Sequence, residues 1–383
     1  LNLVSLISID GPPYYDSTTG EELDVKKTEI GMAKEESSMQ DMGTFDEVPE
    51  SEVPEDATKI PSRWVLKAKE DEVKARIVAQ QLATSQLADV FASTPSALGL
   101  RMLLWFCLSF GWKLITGDVS TAFLHAPIPE GVKIFIIPPP NVRRRRPGML
   151  WRLRRALYGL RHSPKYWQDY LRYLLKRIGL SPCVADPSLY FMRCAKRGLI
   201  AVLSVHTDDL ILTGDSITTR QVTEAIAKVV KIKWQNYLSS ATWTRYLGRE
   251  YNDSESEKCI YIRIPVAYWE ETLKMCGLMN GRVSPVPGTS AKASDDAQPL
   301  SAEHHTLYRG IVGRLMWTLG ERPDLAYSVK ELARNCAAPT TDSWKKLVSC
   351  IKYVKGTMNH VLKLQLNEVP DMNKITISIM TDA

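Results

Sequence analysis

The 383-residue sequence predicts an α+β protein: strand-like apolar runs and helically spaced apolar stripes both recur along the chain, and the clearest strands form a strand–turn–strand unit with acids at its tip. The strand signal is clearest from Leu199 to Gly214, where LIAVLSVH and LILTG flank Thr207-Asp208-Asp209. The helix signal is clearest from Ser163 to about Ile178 and from Thr341 to Gly356.

Taken in order, residues 1 to about 31 are polar, acidic and rich in turn formers, which predicts disorder, and a short helix is expected near Ala33 to Met42. Pro49, Pro54 and Pro61 punctuate an acidic linker, and SRWVLK from Ser62 opens the first ordered strand. Apolar spacing between Pro95 and Gly111 predicts a helix over Ser96 to Phe110. Lys113 to Val119 reads as a strand carrying Asp118 near its end, and Ser120 to Leu124 as a short helix. Three prolines and Arg143 to Arg146 predict a loop before a strand at Leu150 to Leu153. Further helices are expected at Thr218 to Val230, Ala267 to Met275, Tyr308 to Leu319 and Pro323 to Cys336, with a strand at Cys259 to Arg263.

Charge and composition narrow the function classes. The net charge is +6, yet residues 1 to 60 hold 15 acids against 4 lysines, so the rest of the chain is +17. Such a balance suits a polyanionic partner, and a solvated surface shows the same sum. Seven scattered cysteines, none in a C-x-x-C pair, point away from disulfides and zinc. The longest apolar run, Met102 to Trp112, is about half of what a membrane-spanning helix requires, and no secretory signal is visible, so an intracellular protein without membrane contact is expected.

Asp118 at a strand end and Asp208-Asp209 at a hairpin turn could converge from neighbouring strands. Crowded carboxylates raise one another's pKa, and hard divalent cations relieve that repulsion. Two such ions suit in-line phosphoryl transfer. An Asp-Asp pair in a turn is also what an ordinary solvated hairpin shows. From Arg143 to Arg177 basic residues alternate with Trp151, Tyr158, Tyr166, Trp167, Tyr170 and Tyr173, a mixture suited to a phosphate backbone and base stacking, and equally to an exposed helix face.

Several segments, in order, resemble the copia-type retrotransposon reverse transcriptase family: SRWVLKAKEDEVKARIVAQ, GDVSTAFLHAPIPEG, LYGLRHSPKYW, ADPSLYF, LSVHTDDLILTG, YLGREY, YRGIVGRLMW with RPDLAYSV, and WKKLVSCIKYVKGT. The resemblance covers about Trp64 to Leu364. It implies a right-hand polymerase, with fingers, a palm built on a split β-α-β sheet, and a helical thumb or connection. It implies RNA-directed DNA synthesis from dNTPs on an RNA or DNA primer–template, with two Mg²⁺ or Mn²⁺ ions. Asp118 and Asp208 would be the principal metal ligands and Asp209 their support. Lys67 and Arg76 would face the triphosphate, with Lys69 as a weaker candidate. Phe123 would lie under the sugar and exclude a 2′-hydroxyl, although an aromatic on such a segment also suits a core. Tyr158 and Gly159 would line the nucleotide, with Ser163 and Pro164 in the same motif. His206, Tyr246, Gly248 and Arg161 would meet the primer–template, Tyr246 to Gly248 being readable also as an ordinary turn.

The resemblance implies four parts: an acidic, largely disordered segment over 1–45, fingers and palm over 46–250, a thumb- or connection-like region over 251–366, and the start of a ribonuclease H domain over 367–383. That last part would hold only Asp382 of its acids, so hybrid degradation is not expected. The chain lacks an initiating Met, which suggests a piece of a longer protein. Some positions depart from the pattern. His206 stands for the usual tyrosine, Thr207 for the usual valine, Gln80-Gln81 for a glycine, and the fingers hairpin between Lys69 and Lys74 is short. A decayed fragment that binds nucleic acid without catalysis is therefore a second expectation, and a metal-dependent phosphohydrolase a third. Oligomeric state is not specified by the sequence.

Overall fold

The first ordered element begins far upstream of its expected position. In the computed structural model, which describes residues 11–81, 92–254, 256–288, 297–366 and 368, residues 11–45 are folded rather than disordered. β1 (Tyr14–Tyr15) and β2 (Glu22–Leu23) pair as a ribbon, and α1 spans Val25–Asp41, replacing the short helix expected from Ala33. Composition hides this helix because it is polar overall; its core side is only Thr28, Met32, Glu35 and Met39, spaced three or four apart. Asp24 caps it, accepting the Lys27 N–H at 2.7 Å. Asp16, 3% exposed, accepts the backbone N–H groups of Ala68, Thr19 and Thr18, which hold its carboxyl below the usual range and tie the arm to the next sheet.

The chain continues through β3 (Phe45–Pro49), β4 (Lys59–Ala68), β5 (Val73–Ala79), α2 (Ala97–Phe110), β6 (Lys113–Val119), α3 (Ala122–His125), β7 (Phe135–Ile137), α4 (Pro140–Arg145) and β8 (Met149–Leu153). It proceeds through α5 (Ser163–Arg177), β9 (Ser181–Pro182), β10 (Leu189–Cys194), β11 (Gly198–His206), β12 (Asp209–Gly214), α6 (Ser216–Ala227) and β13 (Ile232–Trp234). It closes with β14 (Thr244–Tyr246), β15 (Arg249–Ser254), β16 (Cys259–Arg263), α7 (Val266–Met275), α8 (Ala302–Trp317), α9 (Ala326–Ala333), α10 (Thr341–Gly356) and β17 (Leu362–Gln365).

α4 replaces the loop expected at the arginine run. Pro140 occupies a helix-start position, Val142 is buried, and Asn141 Oδ1 accepts the Trp64 indole N–H at 2.7 Å. α8 starts earlier than expected because Ser301 caps it, and the segment from Pro323 is a 3₁₀ turn followed by the shorter α9.

The strand orders are β3-β8-β7-β4-β5, β13-β6-β12-β11-β10-β9 and β14-β15-β16-β17. One compact unit holds the described residues of 1–95, 117–210 and 217–234, and the other those of 96–116, 211–216 and 235–383. This division does not follow the boundary expected between 250 and 251: α2, which packs on β16, groups with the C-terminal residues. In the first unit α1 and the β4–β5 hairpin share a core that includes Met32, Met39, Trp64, Leu66 and Ile77. In the second, Trp269, Tyr308, Ile311, Leu347 and Ile351 lie at the centre of α7 to α10. Among the described residues no helix is long and apolar enough to cross a membrane. The expected ribonuclease H opening, Asp382 included, lies outside the described residues except for residue 368.

Candidate active site

Strand alternation places Asp118 on the open face of β6 while its neighbours Gly117 and Val119 are buried. Gly117 is required there because a Cβ would lie 2.6 Å from the Trp234 ring. β12 lies beside β6, so the strand that Asp209 begins adjoins the one that bears Asp118. The turn between β11 and β12 consists of Thr207 and Asp208, with Thr207 at φ 53°. A β-branched residue at positive φ costs on the order of 1–3 kcal/mol and persists only when its surroundings hold it. Two hydrogen bonds do so: the Trp167 indole N–H donates to Thr207 O at 2.6 Å, and the Val119 N–H donates to Asp208 O at 2.8 Å. The second bond ties the hairpin tip to the strand end that carries Asp118.

The acids sense one another. Burial, followed by the charges of Asp208 and Asp118, pushes the Asp209 carboxyl up from its ordinary 3.8 to about 6, with His206 acting in the opposite sense. Among the described residues no three His, Cys, Asp or Glu side chains form a ready-made metal cluster. An all-oxygen donor set of this kind suits hard cations, which keep several waters and take only one or two carboxylates alongside substrate phosphates.

This shift has a measurable consequence. Between pH ~4 and ~6 the folded chain binds the Asp209 proton more readily than the unfolded chain does, so this group's contribution to stability falls as pH rises through that window. Asp209→Asn is therefore expected to stabilise the metal-free protein at pH 7.5 by about 1 kcal/mol, the figure being reduced for solvent screening of a half-exposed group. No gain is expected near pH 4. Urea denaturation in chelator at both pH values checks this, and an equal effect at the two would refute it.

The β4–β5 hairpin supplies cations. Lys67 pairs in register with Lys74, and Lys74 and Arg76 share the open face of β5. Burial, then Arg76 and Lys69, lowers the Lys74 pKa, while Asp118 and Asp208 act in the opposite direction, so Lys74 lies within the field of the acids. Sequence reasoning missed Lys74, although its i, i+2 spacing from Arg76 was a usable signal. The Arg76 guanidinium lies 4.6 Å from the centroid of the Tyr158 ring, which is itself 5.2 Å from that of Phe123. Burial raises the Tyr158 hydroxyl to about 12, and Glu35, Asp208 and Asp118 add to the effect while Arg76 opposes it. Lys67, Lys74, Arg76, Tyr158, Phe123 and the three aspartates thus belong to one unit, with Lys74 and Tyr158 both within the field of the acids.

Other expected residues have different surroundings. Gly159 has φ +84°, and a Cβ there would lie 2.0 Å from Ala79 O, so β5 itself approaches this glycine. Gln81 Oε1 accepts the Arg161 N–H at 2.8 Å, which gives the unexpected glutamine a structural role. His206 is half-buried, and its Nδ1 has no hydrogen-bond partner among the described residues. Tyr246 and Gly248 belong to the second unit. Tyr246 is 3% exposed, so its side chain is withdrawn from the surface at this turn, and Gly248, at φ +73°, leaves room for Trp317.

The arginine run also differs from a bare phosphate-binding face. Arg143, Arg145, Arg146 and Arg154 pair with Glu50, Glu36, Glu47 and Asp46, and Lys165 and Arg172 pair with Asp169. The acidic N-terminal residues therefore neutralise part of this patch.

A model of the family described as reverse transcriptase (RNA-dependent DNA polymerase) matches residues 45–287. The chain is 27% identical over 333 residues to the retrovirus-related Pol polyprotein from transposon RE2 of Arabidopsis thaliana, covering 84% of this chain and 22% of that protein. It is 24% identical over 349 residues to the corresponding polyprotein from transposon TNT 1-94 of Nicotiana tabacum, covering 86% and 25%. The chain thus spans about a quarter of the length of these curated relatives. A solved foamy viral protease–reverse transcriptase in complex with double-stranded DNA aligns with a TM-score of 0.49 at 13% identity, covering 89% of this chain and 50% of that one.

Proposed function

The chain belongs to the reverse transcriptase (RNA-dependent DNA polymerase) family, of the copia-type retrotransposon kind, and from that premise we propose that it extends a primer on an RNA or DNA template with dNTPs. The observation that carries this reading is the 2.8 Å hydrogen bond from Val119 to Asp208, which ties the turn bearing Asp208 and Asp209 to the strand end bearing Asp118, together with Arg76 over the Tyr158 ring and Phe123 beside it. A site with acids on one side and cations on the other suits a metal-bound triphosphate, whose negative charge the Lys and Arg groups would offset.

In this reading Asp118 and Asp208 would hold two Mg²⁺ or Mn²⁺ ions, with Asp209 in support, and the ions would supply charge neutralisation for the phosphoryl transfer. Lys67, Lys74 and Arg76 bind and orient the triphosphate. Phe123 and Tyr158 form the aromatic wall against the sugar, and their mutual contact gives Phe123 the rigidity a steric gate requires. Catalysis is then mainly positioning and charge stabilisation. The five-stranded sheet with α1 serves as fingers, the six-stranded sheet as palm, and residues 251–366 as a thumb- or connection-like region.

The direct test is extension of an oligo(dT) primer on poly(rA) by the purified chain, with Mg²⁺ and dTTP. Extension that stops on chelation is the expected result. Folded protein that binds the primer–template and incorporates nothing would overturn the polymerase reading in favour of a binding-only fragment.

A further inference from the structure

Trp167 lies one helical turn after Ser163, the first residue of α5, on the face that also carries Leu171 and Leu174. Ser163, itself buried, donates its hydroxyl to Leu157 O at 2.6 Å, so the start of the helix is pinned to the chain before it. The indole is 1% exposed. The cavity beside it, lined also by Leu171, Tyr190, Val205 and Thr207, measures only about 20 Å³, so the ring is packed in place rather than free to turn.

From this fixed position the indole N–H reaches Thr207 O at 2.6 Å. Thr207 is exposed and holds φ 53°, so the turn is supported through its backbone rather than through a buried side chain. The consequence falls on the next residue. Thr207 O belongs to the peptide that enters Asp208, and Asp208 O to the peptide that leaves it. Trp167 anchors the first, and the Val119 N–H, at 2.8 Å, anchors the second. A residue has only two soft backbone dihedrals, and fixing the peptide planes on both sides sets both of them, and with them the direction in which the Asp208 side chain leaves the backbone.

We propose that Trp167 is a positioning residue for the cation site: its indole N–H, by holding the peptide before Asp208, sets the Asp208 carboxylate where it can share a divalent cation with Asp118. This rests on the reading of Asp118 and Asp208 as cation ligands given above. A tryptophan that merely filled the core would influence stability, and any effect on the cation would be the same with or without the Asp208 charge. One that acts through Asp208 affects cation affinity only while that carboxylate is present.

Titration of Mn²⁺ onto the full chain alone, followed by loss of the free-ion electron paramagnetic resonance signal, reads that affinity without nucleotide or turnover. Trp167→Phe keeps an aromatic ring in the buried space and removes the donor. It is expected to weaken Mn²⁺ binding about ten-fold, the scale of one buried hydrogen bond left unmade, with primer–template affinity within about two-fold of wild type. In the Asp208→Asn background the same substitution should change Mn²⁺ affinity by less than about two-fold. If Trp167→Phe fails to fold, benzothienylalanine in place of Trp167, whose sulfur replaces the N–H within the same ring outline, is compared instead. Unchanged Mn²⁺ affinity on removal of the donor, an equal loss in the Asp208→Asn background, or parallel losses of Mn²⁺ and primer–template affinity would each overturn the proposal, as would wild type that binds no Mn²⁺. Extension of a primer with a free 3′-hydroxyl is scored separately. The expected pattern of Mn²⁺ affinities without extension would refute polymerase activity and leave the positioning role of Trp167 standing.

Discussion

Asp208→Asn is expected to lower primer extension by about a thousand-fold, or ~4 kcal/mol of transition-state stabilisation, with primer–template affinity changed by less than about two-fold. The substitution removes a charge while conserving shape. Asp208 holds its place through its backbone, whose carbonyl accepts the Val119 N–H at 2.8 Å, and the preceding residue is held by Trp167. Asparagine retains both contacts, so the tip of the hairpin stays in register with β6. On the proposed mechanism, what would be lost is one of two principal cation ligands in a site whose donors are all oxygen. Single-turnover extension alongside a primer–template titration separates the effects. Extension retained near the wild-type rate would remove Asp208 from the proposed mechanism, and a parallel loss of binding would assign the defect to folding.

Gly159→Ala is expected to destabilise the protein by about 3 kcal/mol or more, from two sources. The residue has φ +84°, where a side chain is strained by about 1–2 kcal/mol, and its Cβ would lie 2.0 Å from Ala79 O and 2.6 Å from Val78 Cγ1. The obstacle is mostly backbone of β5, which cannot move aside as a flexible side chain does. Gly131 provides the control: its φ is +83° and nothing lies within 4 Å, so Gly131→Ala should show the conformational cost alone, about 1 kcal/mol. Denaturant midpoints of both variants test the difference. Equal losses would mean that the approach of β5 to Gly159 has been overstated.

The Gly159 case also marks a limit of sequence reading. Family resemblance assigned the glycine to close approach by a nucleotide, whereas the backbone it meets is that of β5, 80 positions upstream in the chain. Sequence spacing carries no information about which backbone comes that close. The same limit explains Lys74. Its alternation with Arg76 was visible, but only the folded hairpin brings it within the field of Asp118 and Asp208.

By itself the sequence determined the features that depend on neighbours a few residues away. The hairpin with acids at its tip, α2 between Ser96 and Gly111, the Ser-Pro start of α5, and α10 over Thr341–Gly356 all follow from local periodicity and capping. The ordered motifs likewise pointed to the reverse transcriptase family before any geometry was considered. Only the tertiary structure decided the fate of the N-terminal arm and the arginine run. Composition made the arm disordered and the arginines a phosphate grip. In the folded chain α1 buries its sparse stripe of Thr28, Met32, Glu35 and Met39, and Glu36, Glu47 and Glu50 pair with Arg145, Arg146 and Arg143. A polar segment orders when a partner surface buries the few apolar groups it has and answers its charges, and here the β4–β5 hairpin does the first while arginines far along the chain do the second.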